Sequence, residues 1–438
     1  MPTGNRPHHK SLLELGPEPE DFRWATGIED TFVVEAEPLR RRMDMYELQQ
    51  HYRFWREDLD LAGEIGVTMM RYGIPWYRVN PAPGVYDWSW TDQVLEYMVR
   101  EKRIEPIIDL VHYGTPLWLD NAFLHPRYPQ YVAEYARALA DRYRPLGVRY
   151  FTPLNEPLVT ALFCGEIRRW PPYLRGHSGF VAIALQCARG IIRTVQAIRE
   201  VHPEAIFVHV EASTYHFTKE PELERQCRFI MDRHQTMFEL VQGRVEPGHF
   251  LYDYLCENGF TKADEAWFRE NAIPIDVVGL NFYPELSVTE LYTGPDGSVQ
   301  RRNVVQPHRL RDLARDWYAR HRRPIFITET STNQKSHDRL TYLEESVALV
   351  RELRTEGIPI IGYTWWPLYD LVNWDYREGT EPVEHYLEPM GLYALEMDFT
   401  GTLRRKPLPQ AHRFRQIVAE TPSRVGRIGQ KPYIPPER

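Results

Sequence analysis

The sequence predicts an α/β protein, a (β/α)8 TIM barrel forming a single domain with long loops after several strands. Three observations predict it. Eight short apolar segments alternate with longer amphipathic ones along the 438 residues. The short segments are near-continuous apolar runs, as expected of parallel strands buried on both faces. The doubly wound alternative should carry a glycine-rich phosphate turn after its first strand, and "FRWATGIEDTF" has none.

The expected strands run in order over 22–28 (FRWATGI), 67–76 (VTMMRYGIPW), 105–113 (EPIIDLVHY) and 148–156 (VRYFTPLNE). They continue over 205–213 (AIFVHVEAS), 275–283 (IDVVGLNFY), 324–331 (PIFITETS) and 359–367 (PIIGYTWWP). Helical periodicity fills the gaps, most clearly at 92–103, 131–144, 181–202 and 339–357. The last of these ends at Gly357, a C-terminal stop. Residues 284–307 read as a loop insertion holding a hairpin around "GPDG", and 370–405 as a long loop. The division expected is an N-terminal arm over 1–20, the barrel over 21–420 and a C-terminal tail over 421–438, which is rich in Pro and Arg and expected to wrap the surface.

Composition narrows the function. With 43% hydrophobic and 26% charged residues, the chain has ample core. Its net charge of −8 is spread along the chain without a basic block, so nucleic acid is not an expected partner. No run reads as the ~18 apolar residues of a membrane span, and the N-terminus lacks an apolar signal region. The four cysteines, Cys164, Cys187, Cys227 and Cys256, form no CxxC pair, so neither a disulfide framework nor a metal site is expected. A cytoplasmic enzyme without metal or cofactor is the expectation, and a homo-oligomer is left open.

In a barrel, chemistry belongs at the C-terminal strand ends. Those ends carry Arg71 and Trp76, His112 and Tyr113, Asn155 and Glu156, then His209 and Glu211. Asn281, Tyr283, Glu329, Trp365 and Trp366 follow, with Asp370, Asn373 and Trp374 just beyond. A carboxyl at a strand end is ordinarily just solvated. Two of them on non-adjacent strands, facing one cavity beside several indoles, is the arrangement that glycoside hydrolysis requires. Sugar faces pack on aromatic rings, and their hydroxyls need amide, imidazole and carboxylate partners. His209 and Glu211, two apart on one strand face, fit a glycone contact or an inward polar layer. Trp365 and Trp366 point to opposite faces, so one of them is core.

Several stretches together resemble glycoside hydrolase family 1, the β-glucosidase family. "TPLNEP" resembles its TxNEP stretch, with Pro153 at the Thr position. "FITETS" resembles ITENG, and "MRYGIPWYRVNP" resembles YRFSISWxRIxP. "LVHYGTPLWL" resembles YHWDLPxWL, with Tyr113 and Gly114 replacing Trp and Asp. "VVGLNFY" resembles FxGxNYY, and "GYTWWPLYDLVNWDYREG" resembles GYFxWSLxDNxEWxxGY. The matches keep the family's order and span residues 22 to about 393. The resemblance implies a retaining β-glycosidase with Glu156 as acid/base and Glu329 as nucleophile. It implies that Asn155 holds the sugar 2-hydroxyl, and that Arg71 and Tyr283 orient Glu329. His112, Asn281, Trp366, Trp374, Asn373 and Glu211 then form the expected glycone subsite, with Trp366 beneath the sugar ring. The substrate expected is a carbohydrate or glycoside.

Two departures fall on the side that reads the outer sugar hydroxyls. The family's first-strand Gln is missing, with Glu29 or Asp30 standing nearby. The family's Glu in the last loop is Asn373. Both suggest an altered glycone, such as a deoxy sugar, a pentose or an unusually linked glycoside. The alternative is a barrel that binds sugars, or transfers them to another acceptor, without efficient hydrolysis.

Overall fold

A computed structural model describes residues 10–35 and 40–421. Eight strands close into a parallel barrel: β1 (Arg23–Gly27), β2 (Met69–Gly73), β3 (Glu105–Asp109), β4 (Tyr150–Thr152), β5 (Ile206–Ala212), β6 (Val277–Phe282), β7 (Ile325–Thr330) and β8 (Ile360–Trp365). Each pairs with the next in sequence, and β8 returns to β1. All eight lie inside the apolar runs expected. Most stop short of the expected C-terminal ends, so much of the polar rim sits in the loops that follow.

Around the barrel run α1 (His51–Ile65), α2 (Ser89–Glu96), α3 (Tyr128–Tyr143), α4 (Gly176–Val201), α5 (Thr236–Val241), α6 (Arg309–His321), α7 (Arg339–Thr355) and α8 (Pro409–Glu420), with shorter helical turns between them. α7 shows why these segments are helical. Asp338 caps its start by accepting the Thr341 N–H. Tyr342, Leu343, Ser346, Val347, Val350 and Leu353 form one buried stripe. Gly357 follows with φ +86°, the left-handed stop its position suggests. α8 packs between α7 and α1 and closes the helical ring.

Alternation along the strands divides the core in two. Met69, Ile107, Val208, Val277, Phe326 and Ile361 cluster inside the barrel, while their neighbours Met70, Ile108, Phe207, Val278, Ile325 and Ile360 pack against the helices. Leu12 and Leu15 join the inner cluster, so the segment before β1 plugs the barrel floor. Apolar side chains fill the lower barrel and leave polar ones to its upper end.

Three segments differ from expectation or extend it. The insertion holds the expected hairpin, Val288–Thr293 with Val299–Asn303, which also pairs with Tyr215–Thr218 to make a three-stranded sheet. The segment expected as one long loop contains a second hairpin, Tyr393–Met397 with Leu403–Pro407, because Tyr393 and Leu395 alternate into the core. Helix α4 is long and apolar enough to cross a membrane, contrary to the sequence reading. In the fold, 67% of its most apolar stretch is buried, much of it against α3, as befits a core helix. The tail expected over 421–438 lies outside the described residues from 422 onward.

Candidate active site

Simple alternation along β7 would turn Glu329 outward. Phe326 points into the barrel and Ile327 out of it. The pairing of β7 with β6 then slips by one residue between Ile327 and Glu329, and its pairing with β8 slips there too. This bulge lets Thr328 and Glu329 both face the interior. The Thr328 hydroxyl donates to Asn281 Oδ1 at 2.7 Å. Glu329 accepts from Arg71 Nη1 through one oxygen and from the Tyr283 hydroxyl, at 2.6 Å, through the other.

Arg71 is fully buried and organises the floor of the site. Its Nη2 donates to Asp109 Oδ2 at 2.5 Å and to Asn155 Oδ1 at 2.9 Å. A guanidinium suits this role, since its fork reaches several acceptors and keeps its charge when buried. Asp109 is a site residue that the sequence reading passed over. Its signal was an acid inside the apolar run "EPIIDLV", a position that demands a buried partner.

Glu156 follows β4 with φ +39°, a left-handed conformation rare outside glycine, and starts the short helix Pro157–Thr160. Its Oε1 accepts from Asn281 Nδ2 at 2.8 Å, and its Oε2 accepts from the Tyr113 hydroxyl. Asn155 Nδ2 lies 3.0 Å from His112 Nε2 and 3.1 Å from the Tyr113 oxygen. Asn281, expected at the glycone, thus spends one donor on Glu156.

Burial raises both Glu156 and Glu329 above the ordinary carboxyl range. Arg71 pulls Glu329 back, and the charge on Glu156 pushes it up. The guanidinium touches Glu329 and not Glu156. That contact favours charge on Glu329, while Glu156 takes its two donors from Tyr113 and Asn281.

His112 is ringed by acids. Its Nδ1 lies 2.9 Å from Asp30 and 3.2 Å from Asp109, and its Nε2 lies 3.4 Å from Glu29. Burial opposes its charge, but Asp30 and Glu29 raise its pKa well above the usual value. Burial pushes Asp30 up to about 6 against the pull of His112. Asp30, Asp109 and His112 are close enough to hold a cation, yet their contacts are already those of an ion-pair network with Arg71.

Trp366 and Trp365 divide as their adjacency suggests. Trp365 packs outward and donates to Met390 O at 3.2 Å. Trp366 lies with its ring nearly parallel to His112, 7° apart, and its indole N–H donates to Glu29 Oε2 at 3.1 Å. Between Glu29 and Asp30, it is therefore Glu29 that reaches the indole. Trp374 packs against Tyr113, Phe163 and Trp170. No motif pointed to Phe163 or Trp170.

Three residues read for the glycone make other contacts. Val208 and Val210 take the inward positions of β5, so His209 and Glu211 face outward. His209 packs against Phe238, and burial pushes it down to about 3. Glu211 bonds the backbone of the helix after Glu156. Asn373 Oδ1 accepts the Asp375 N–H to cap a helical turn, and its Nδ2 donates to Glu388 at 2.7 Å.

The model of Glycosyl hydrolase family 1 matches residues 25–284. The chain belongs to glycosyl hydrolase family 1. Family 1 relatives include the aryl-phospho-beta-D-glucosidase BglH of Bacillus subtilis, 25% identical over 374 residues that cover 74% of this chain and 76% of that one. Beta-glucosidase A of Thermotoga maritima is 26% identical over 367 residues, covering 75% and 79%. A beta-glucosidase from Thermotoga maritima in complex with azafagomine shares the fold, with a TM-score of 0.77 at 20% identity over 91% of this chain and 98% of that one. The chain is a glycoside hydrolase of the β-glycosidase type.

Proposed function

We propose that the protein hydrolyses β-glycosides by double displacement with retention, Glu156 serving as acid/base and Glu329 as nucleophile. One observation carries this reading. Two buried carboxyls at the upper ends of β4 and β7 share a network through Arg71, Asn155 and Asn281, and of these two carboxyls the cation contacts Glu329 and not Glu156.

In the first step a Glu329 oxygen bonds the anomeric carbon as the bond to the leaving oxygen breaks. Glu156 gives that oxygen its proton. In the second step water attacks the same carbon, the ester bond to Glu329 breaks, and Glu156 takes the water's proton. Such chemistry asks for carboxyls roughly 5–5.5 Å apart. Ester formation removes the charge on Glu329, which makes Glu156 a stronger acid and readies it as the base. Asn155 lies beside Glu156, where it can bond the sugar 2-hydroxyl. Trp366 and His112 form the wall beneath the glycone.

The glycone is read differently from that of a simple β-glucosidase. Glu29 stands beside Trp366 and His112 and offers acceptors without the two donors of the amide that the family resemblance leads one to expect. The decisive experiment is a screen of p-nitrophenyl glycosides covering both anomers of hexoses, pentoses and deoxyhexoses. Glu329→Ala should abolish turnover, and azide should restore it with inverted product. Full activity in Glu329→Ala, or no glycoside cleaved, overturns the reading.

A further inference from the structure

Tyr113 adopts φ +69° after β3, a left-handed conformation that strains a non-glycine residue and persists only where packing enforces it. The next residue shows how it is enforced. A Cβ on Gly114 would meet the Phe32 ring at 2.5 Å and the Phe32 backbone oxygen at 2.9 Å. The Phe32 N–H in turn donates to His112 O at 3.2 Å. The backbone on either side of Tyr113 is thus pinned to the short antiparallel pair Phe32–Val33 with Met43–Asp44. Its ring packs against Trp170 at 5.1 Å and Trp374 at 5.5 Å between centroids.

This packing aims the phenol at Glu156. The hydroxyl donates to Oε2, and its oxygen accepts from Asn155 Nδ2 at 3.1 Å. Asn281 Nδ2 donates to the other oxygen of Glu156. Both oxygens are acceptors, the pattern that suits a carboxylate.

We propose that Tyr113 is a positioning residue for Glu156, whose phenol fixes the carboxyl's rotamer and favours its ionised form. The proposal rests on Glu156 being the acid/base. Burial by itself would hold a proton on Glu156, giving a good acid for the first step and a poor base for the second. The phenol offsets this. Other groups acting on Glu156 are Arg71 and His112, which favour the anion, and Glu329 and Glu211, whose charges oppose it. All four remain when Tyr113 becomes Phe, so that variant isolates the hydroxyl. Tyr283, on the far side, donates to Glu329 and is unaffected.

The test is Tyr113→Phe, in protein carrying carboxyl-labelled glutamate, with the Glu156 signal assigned through Glu156→Gln. Losing a hydrogen bond to the ionised form should raise the Glu156 titration by about one pH unit. The alkaline limb of kcat/KM on a p-nitrophenyl glycoside should move up with it. An unchanged carboxyl titration overturns the proposal. If the wild type cleaves no glycoside, the acid/base reading falls, and the carboxyl titration still decides whether the phenol acts on Glu156.

Discussion

Glu211 accepts the backbone N–H of Leu158 with both carboxylate oxygens, at 3.1 and 3.2 Å. That N–H belongs to the first turn after Glu156. A buried acid on the outer face of β5 therefore anchors the helix that starts at the candidate acid/base. Glu211→Ala leaves the N–H without its acceptor inside the fold, at a cost of about 1–3 kcal/mol. Loosening Glu156 should also lower kcat by up to about 100-fold. Thermal denaturation and steady-state kinetics check both, and unchanged kcat would show that Glu156 is placed by its other contacts.

Gly27 faces Trp366. A Cβ there would come within 2.1 Å of Trp366 Cζ3 and 3.0 Å of Arg71 O. Gly27→Ala should displace the indole from Glu29, destabilise the fold by about 1–3 kcal/mol, and raise KM more than it lowers kcat. Tryptophan fluorescence, with Trp366→Phe as reference, reports whether this indole moved.

Glu29→Gln replaces a carboxylate with the amide that the family resemblance leads one to expect. The amide keeps an acceptor for the Trp366 N–H, gives up the contacts from the Thr31 N–H and hydroxyl, and gains two donors. Relative kcat/KM should shift toward β-glucosides by about tenfold, the worth of one hydrogen bond of about 1.4 kcal/mol. Comparing gluco-, xylo- and deoxyhexosides on both proteins measures this; equal ratios would place the specificity elsewhere.

Arg71→Met leaves Asp109 and Glu329 buried without their cation. Breaking a buried pair in this way costs about 3–5 kcal/mol. Residual activity, if the variant folds, should show its acid limb at higher pH, since Arg71 is what pulls Glu329 down. An unshifted limb would deny Arg71 that role.

Glu156 makes one contribution to the pH dependence of stability. Burial raises its pKa above the ordinary 4.5. The folded chain then binds more protons than the unfolded one between those values, so stability falls as pH rises through that window. Glu156→Gln removes the cost. It should raise Tm at neutral pH, and the difference should shrink to nothing as pH falls below 4.5. A variant less stable than wild type at pH 7 would contradict the sign.

Much of this was legible from residues alone. Runs such as "PIFITETS" mark strands because an apolar run bounded by turns has few other uses in a chain with amphipathic helices between. Two acids at strand ends, with an arginine and a tyrosine in reach, announced a paired-carboxylate site. His209 and Glu211 were misplaced because strand alternation gives two faces without saying which is inner. That choice depends on which valines fill the barrel, and Val208 and Val210 did.

The sequence by itself determined the eight barrel strands and their order, the barrel class and the residue types at its rim, since these follow from local periodicity and turn chemistry. Only the tertiary structure decided which side chains meet. The bulge in β7 turns Glu329 inward, and no propensity encodes a one-residue slip in pairing. The Phe32–Gly114 contact aims Tyr113 at Glu156 from a distant segment. The choice of Glu29 over Asp30 as partner of Trp366 came from packing across the barrel mouth. Contacts between residues hundreds of positions apart depend on closure of the whole sheet, so they exist only once the barrel has formed.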